Sequence, residues 1–492
     1  MAGANGSTHR ADVAVVGAGA AGLYAAICAA RQGASVVLVS ATPLAQTASY
    51  WAQGGIAAAL AADDSPELHL EDTERAGRGL VRRSAAEILV TEAPAIVADL
   101  QALGVRFDAD RFGQLALGLE GGHAVRRVVH AGGSATGRRV VRQLSALVVA
   151  EPRIKVLEGA RARALWRDGE ACRGVVCESE LVLARHGVLL ATGGAAALWA
   201  RTTNPPGSQG VGLVLARELG AELADLELLQ FHPTAVIGVQ GREGFLVTEA
   251  IRGEGATLHD SNGERFVEEL APRDEVARAI QELLSRTGER AVGLDMRAVD
   301  PAHFPNVVTA LRDAGLDPTR ELVPVAPAAH YMMGGIVTDL DGSSSVPGLY
   351  AAGECSCTGL HGANRLASNS LSECFVFARR AVAHALAGRP GPEAQPGPGE
   401  VAELAARELP AATRETREAL WREAGIVRRA EELRRLLEDP HPLARVIARC
   451  ALAREESRGA QLRADFPERD PALDDRHAVL AGEERPEWRT WH

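Results

Sequence analysis

What this 492-residue chain lacks narrows its function first. None of its seven cysteines, at 28, 172, 177, 355, 357, 374 and 450, has a partner at the C-x-x-C spacing of a zinc or thiol-redox site. The number is odd and only Cys355 and Cys357 stand close together, so reduced cytosolic thiols are expected. Positive charge is not in excess either: 53 basic residues face 64 acidic ones, the net charge is −11, and no long basic stretch occurs. That balance argues against a nucleic-acid or anionic-membrane surface as the main partner. Met1–Arg10 lacks the charged-then-apolar order of a secretory leader and reads as a loose polar tail. No segment reads as a membrane span; Val13–Ala30 comes nearest, but it is rich in Gly and Ala. A soluble, cytoplasmic protein is the expectation.

What is present is enough for more than one core. The length calls for two or three domains, and 46% hydrophobic residues suit globular ones. The chain is organised around Val13–Gly22, an apolar run feeding Gly17-Ala18-Gly19-Ala20-Ala21-Gly22. In such a Gly-x-Gly-x-x-Gly turn Gly17 permits the sharp bend, Gly19 lets a pyrophosphate approach the backbone, and Gly22 lets the next helix lie close to the strand. A helix over Ala21–Arg31 and a strand over Ala34–Val39 complete a strand–helix–strand unit that should hold a dinucleotide. The acidic residue that usually takes the ribose hydroxyls is replaced by Ser40, which weakens a generic NAD-dehydrogenase reading.

Thr47–Ile56 is a loop of hydroxyl and glycine residues, either lining a cofactor or forming an ordinary turn. Ser65–Gly104 has helical apolar spacing and reads as scaffold. In Leu119–His130, Glu120 shares a glycine-bearing loop with His123, Arg126, Arg127 and His130; binding something charged and simple solvation are equal readings for the last three. Two buried-type strands, Gly187–Gly194 and Gly348–Glu354, end as cofactor-edge strands do, and their separation suggests an insertion. Most other polar clusters fall in that insertion: Phe231–Thr234, Thr248–Gly255, Ala271–Asp274 and His330–Gly335. The Gly- and Pro-rich stretch 388–399 reads as a linker, followed by amphipathic, charged helices over Val401–Glu408, Thr413–Leu436 and Pro442–Ser457.

Taken in order with His361–Leu371, these motifs resemble the fumarate reductase and succinate dehydrogenase flavoprotein superfamily. Within it the chain is most similar to the branch that oxidises L-aspartate, the first step of bacterial de novo NAD synthesis. The likeness runs from about Asp12 to Pro467 and includes Gly425–Arg428 and Arg454–Gly459. It implies an α/β fold: a Rossmann-like FAD-binding domain (1–226 and 338–387), an inserted α+β capping domain (227–337), a linker (388–400), a C-terminal helical bundle (401–475) and a tail (476–492). Ala48 stands where respiratory relatives usually carry a histidine linked to FAD, so the resemblance implies non-covalent FAD. Glu120 stands where those relatives tend to have a neutral amide, and a carboxylate there suits a substrate ammonium.

By the same resemblance Arg365, Arg273, His232 and His330 meet the two carboxylates of L-aspartate, with Thr248 and Glu249 completing that pocket. Arg273 is assigned mainly to electrostatics and positioning, with proton transfer as the alternative, since an ordinary arginine is a poor base near neutral pH. Arg252 is either near the site or in an ion pair with Glu249 or Glu254. Gly17–Gly22 and Ser40 should serve the ADP half of FAD, Thr47, Ser49, Gln53, Gly54 and Gly55 the ribityl and ring region, Glu354 the ribityl chain, and Ser370-Leu371 the N1/O2 edge of the ring. Val211 departs from the family pattern, where an acidic residue is frequent. The implied reaction passes a hydride from the substrate's α carbon to flavin N5 and yields iminoaspartate, with oxygen or fumarate as acceptor and quinolinate synthase as the next enzyme. The alternatives are a soluble fumarate reductase or succinate dehydrogenase subunit and, from another class, a flavin-binding scaffold without chemistry.

Overall fold

The computed structural model describes residues 7–482 and 485–491. Its centre is a seven-stranded sheet in which β1 (Ser7–Val16) lies between β2 (Val36–Ser40) and the strand Glu180–Leu190. Val13–Val16 pairs in parallel with Val36–Val39 on one side and Gly187–Leu190 on the other, and Leu349–Ala351 adds a further parallel strand beyond. Both faces are covered, which is why these strands are continuous apolar runs rather than alternating ones. The expected tail Met1–Arg10 is corrected in part: Ser7–Arg10 pairs with Glu180–Leu183, because the strand extends along a neighbour that already offers hydrogen-bond partners, while Met1–Gly6 lies outside the described residues.

Helix α1 (Ala20–Arg31) follows β1 and is buried at every residue except Arg31. Its alanines let it sit between the sheet and the helix Asn369–Ala387, against which Tyr24 meets Phe375 edge-on with ring centroids 5.3 Å apart. Within the capping segment a second, antiparallel sheet forms in the order Leu229–Val236, Val323–Met332, Val292–Asp295, Thr257–His259. The pairing of the first two strands slips between Gln230 and Phe231 and again between His232 and Ala235. The second slip contains Pro233, which has no N–H to give a ladder. Such bulges re-aim side chains, and here they fall on the residues that later form the site.

The C-terminal helices, including Arg414–Glu423 and Pro442–Ala453, do not close a core of their own; Leu420, Leu433, Leu443 and Ile447 join the same cluster as Val188 and Leu190 of the central sheet. The expected tail 476–492 is also corrected. His477–Leu480 pairs antiparallel with Leu223–Ala224, and Glu487–Arg489 adds the edge strand of a five-stranded sheet. The strand is fixed because His477 Nδ1 and Asp225 Oδ2 lie 2.5 Å apart and Ala478 N–H donates to Asp225 Oδ1 at 2.9 Å. A short, charged sequence gives no hint of a strand whose anchor lies 252 residues earlier. No helix among the described residues is long and apolar enough to cross a membrane.

Candidate active site

At the end of β1 the chain turns where a side chain would not fit, at Gly17 with φ of 108°. A Cβ on Gly17 would fall 2.2 Å from the Ala191 carbonyl oxygen, and one on Gly22 would fall 1.8 Å from the Gly17 carbonyl oxygen. The cradle is therefore shaped by close backbone packing, with Ala18, Ala20 and Ala21 all buried around it. Ala20 N–H donates to Ser49 Oγ at 3.1 Å, which brings the Thr47–Gly55 loop onto the glycine turn. Ser40 is buried at the end of β2, and its hydroxyl donates to the Thr42 carbonyl at 2.6 Å.

Around this turn several buried polar atoms have no partner among the described residues, Thr47 Oγ1 and Gln53 Oε1 being two of them. Their presence beside a glycine-lined cradle fits a polar cofactor that satisfies them. Gln53 Nε2 is held by the Leu246 carbonyl at 2.6 Å, so the loop also touches the capping sheet. Gly55 N–H donates to Ser368 Oγ at 3.1 Å, and a Cβ on Gly54 would lie 3.8 Å from Glu120 Oε1, which puts that loop beside the catalytic candidates. Glu354 accepts from Met332 N–H at 3.0 Å; burial pushes its carboxyl up to about 7, against the opposing pull of that N–H and of Arg365. Ser370 and Leu371 lie in the first turn of the helix Asn369–Ala387, whose N-terminus has no side-chain cap. Its free amides are suited to developing negative charge. Val211 opens the helix Val211–Glu218 and is 37% exposed, so no buried polar contact is made there.

The substrate candidates converge from four segments. Arg273, at the start of the helix Arg273–Thr287, donates from Nε to Glu249 Oε2 at 2.7 Å and from Nη1 to Gln230 Oε1 at 3.1 Å. Arg365 donates from Nη2 to the same Gln230 oxygen at 3.1 Å and from Nη1 to Ser370 Oγ at 3.1 Å, and its guanidinium lies 4.4 Å from the centre of the Tyr331 ring. Burial, with Arg273 nearby, holds the Arg365 guanidinium down to about 10. His232 and His330 face each other with ring centroids 5.1 Å apart. Burial and then Arg273 drive both imidazoles well below their usual value, so both are neutral. Thr234 N–H donates to His232 Nδ1 at 3.2 Å, which leaves the ring proton on Nε2 as a donor. His330 Nδ1 sits 2.7 Å from Thr203 Oγ1.

Glu249 is clamped between Arg273 and Arg252, whose Nη2 lies 3.0 Å from Glu249 Oε1. Arg252 is buried and also donates to the Glu269 carbonyl, so the ion-pair alternative for this residue is the one found. Thr248 is buried and caps the short helix Glu249–Gly253, its Oγ1 accepting from Ala250 N–H at 3.4 Å. Glu120 is buried, accepting from Ser368 Oγ at 2.7 Å with His130 Nε2 at 3.3 Å. Burial opposes its ionisation, but His130, Ser368 and Arg273 outweigh burial and hold the carboxyl down to about 2. The three residues of that loop left open by the sequence divide: Arg126 is exposed, Arg127 is fully buried between Asp64 and Asp72 as scaffold, and His130 holds Glu120.

Sequence reasoning missed Gln230, whose single oxygen serves both arginines and whose Nε2 is fixed by Asn364 Oδ1 at 2.9 Å and the Arg365 carbonyl at 2.8 Å. The signal was a lone amide inside the apolar run Leu228-Leu229-Gln230-Phe231. Thr203 and Ser368, which orient His330 and Glu120, carry no comparable signal because they come from distant loops.

Fold and site together define a flavoprotein of the fumarate reductase type. Residues 12–371 match the family described as FAD binding domain, and residues 436–489 match the fumarate reductase flavoprotein C-terminal family. An L-aspartate oxidase of Caulobacter vibrioides is 45% identical over 490 residues, covering 93% of this chain and 94% of that protein. One of Streptomyces coelicolor is 41% identical, covering 96% and 91% of the two chains. The chain belongs to the L-aspartate oxidase family, and its cofactor is FAD. Among solved structures it superimposes on the quinol fumarate reductase of E. coli with a TM-score of 0.88 at 29% identity, covering 98% of this chain and 97% of that one.

Proposed function

We propose that this protein oxidises L-aspartate to iminoaspartate at the pocket formed by Glu120, His232, Arg273, His330 and Arg365. FAD, held by the Gly17–Gly22 turn and without a covalent bond because Ala48 stands beside the loop, supplies the acceptor for the two electrons leaving the substrate. The rest is the work of this chain's own side chains. Arg273 and Arg365, fixed in a common orientation by Gln230, present planar forks to the substrate's carboxylates. Neutral His232 and His330 contribute directed donors without adding to the positive charge. Thr248 and Glu249 orient this cluster, Thr248 by starting the helix and Glu249 by holding Arg273.

The observation that carries the reading is a buried carboxylate, Glu120, bonded to Ser368 and His130 and kept ionised by them and by Arg273, in a site that also holds Arg365. That arrangement matches a substrate with two negative charges and one positive charge, and it is poorly matched to a plain dicarboxylate. A carboxyl held near 2 is a weak base, so Glu120 serves the ammonium as a counter-ion, the proton lost from the ammonium passes to water, and Arg273 positions rather than transfers protons. Reoxidation by oxygen or fumarate, a cytoplasmic location and delivery of the product to quinolinate synthase complete the proposal, on the strength of the family likeness.

The test is anaerobic mixing of the FAD-loaded protein with L-aspartate and, separately, succinate. Bleaching of the flavin band by L-aspartate is expected; bleaching by succinate alone would favour a fumarate reductase instead. In Glu120→Gln, oxidation of L-aspartate should fall by about 100-fold or more, while reduction of fumarate by the reduced protein falls far less. Equal losses would remove Glu120 from its assigned role.

A further inference from the structure

Outside the catalytic pocket a cleft of about 710 Å3 runs between the central domain and the capping segment Ala302–Asn306. Arg106, Arg138, Arg139, Arg142 and His303 line it, and among the described residues no carboxylate does. Several arginines elsewhere in this acidic chain are tied to acids, as at Arg127, Arg273, Arg454 and Arg458. Among the described residues the side chains of the four cleft arginines form no ion pair: that of Arg138 reaches only Asn306 Oδ1 at 2.7 Å, that of Arg142 only the Tyr50 hydroxyl at 3.1 Å, and those of Arg106 and Arg139 have no hydrogen-bond partner. The nearest carboxylate in sequence, Asp108, is turned onto the Gly132 and Gly133 N–H groups at 2.7 Å each.

Arg106, Arg139 and Arg142 are exposed, so water screens these charges, but no protein group neutralises them. Arg138 and Arg139 sit in the first turn of the helix Thr136–Ala150, which has no acidic residue there and no side-chain cap. Cations at the positive end of a helix dipole, among other cations, repel one another. An anion placed between them relieves both terms. Beside this wall is an aromatic surface: Trp51 is 62% exposed, its ring meets Tyr50 edge-on at 5.3 Å, and the Arg142 guanidinium lies 5.8 Å from the Tyr50 ring centre.

We propose that the cleft binds a nucleotide polyphosphate, with the phosphates among Arg106, Arg138, Arg139 and Arg142 and the base against Trp51. Charge recognition by several guanidiniums and stacking on an exposed indole are the two contacts such a ligand requires. The site adjoins the catalytic machinery from outside: Gly132 lies two residues beyond His130, which holds Glu120, and Tyr50-Trp51 belong to the loop whose other face cradles the cofactor. It also spans two parts of the fold, through Arg138 and Asn306, so an occupant ties the capping segment to the central domain.

The experiment is a calorimetric titration of the full-length, FAD-loaded protein at low ionic strength, without magnesium, using ATP, tripolyphosphate and adenosine. ATP should bind once per chain without releasing flavin, tripolyphosphate more weakly, and adenosine not detectably. R106S/R139S removes two side chains that have no internal partner; it should weaken ATP at least about tenfold while flavin absorbance and turnover of L-aspartate stay unchanged. W51A should weaken ATP and leave tripolyphosphate binding as it was. Undiminished ATP binding by R106S/R139S, release of one FAD per ATP bound, or no binding at millimolar ATP would each overturn the proposal.

Discussion

Gln230 shows how much a single residue decides in this pocket. Two buried guanidiniums share its one carbonyl oxygen, and without it Arg273 and Arg365 repel each other with no neutral acceptor between them. In Gln230→Leu, kcat/KM for L-aspartate should fall by about tenfold to 100-fold, mostly through KM, with the flavin spectrum preserved. A wild-type KM in that variant would mean that the arginines orient themselves. The buried histidines make a second prediction. His232 and His330 are held well below their usual value by burial and then by Arg273, and His69 is pushed down to about 3, chiefly by burial. The unfolded chain takes up these protons near pH 6.5 and the folded chain only at much lower pH, so their contribution to stability is complete above pH 6.5 and is lost as pH falls below it. Glu354, its carboxyl pushed up to about 7, works in the opposite direction, but one carboxyl faces three histidines, so urea midpoints should drop between pH 7 and pH 5; a flat or rising midpoint over that interval would contradict the assignment.

At the scale of elements, the β1–turn–α1 unit is built with no spare volume. Since a Cβ on Gly22 would lie 1.8 Å from the Gly17 oxygen, Gly22→Ala has to push α1 off the sheet. FAD should be lost on gel filtration while the far-ultraviolet circular dichroism of the helices is largely kept, because the change falls on one contact and not on the core. Retention of a full complement of FAD would show that the turn relaxes. This unit was legible in the sequence, since its signal is local: apolar run, glycine spacing, helix, second strand. The bulged strand Leu229–Val236 was legible only as a cluster of polar residues, because its aim depends on where a partner strand slips past Pro233.

For the whole molecule, the strand His477–Leu480 is the sharpest departure from expectation. His477 and Ala478 satisfy both oxygens of Asp225, a carboxylate buried close to Glu227 and Arg454. Deleting residues 477–492 leaves Asp225 buried without those partners, at a cost of about 3–5 kcal/mol by the usual penalty for breaking a buried pair. The truncated protein should melt several degrees lower. The loss should be partly recovered by Asp225→Asn in the truncated background, where no charge remains to be compensated. An unchanged melting temperature on truncation would show that this strand is peripheral to stability.

The cofactor turn and the ordering of the motifs follow from the linear chain, because each motif is written in residues adjacent along it. So does the expectation that Glu120 differs from a neutral amide in what it attracts. Folding alone settles that Arg127 is scaffold while His130 holds Glu120, that Arg252 pairs with Glu249, that Gln230 joins the two arginines, and that His477–Leu480 is a strand. Each of these depends on contacts made in the folded state, most of them between segments far apart in sequence, and a side chain's partner there is set by packing, which residue spacing does not encode.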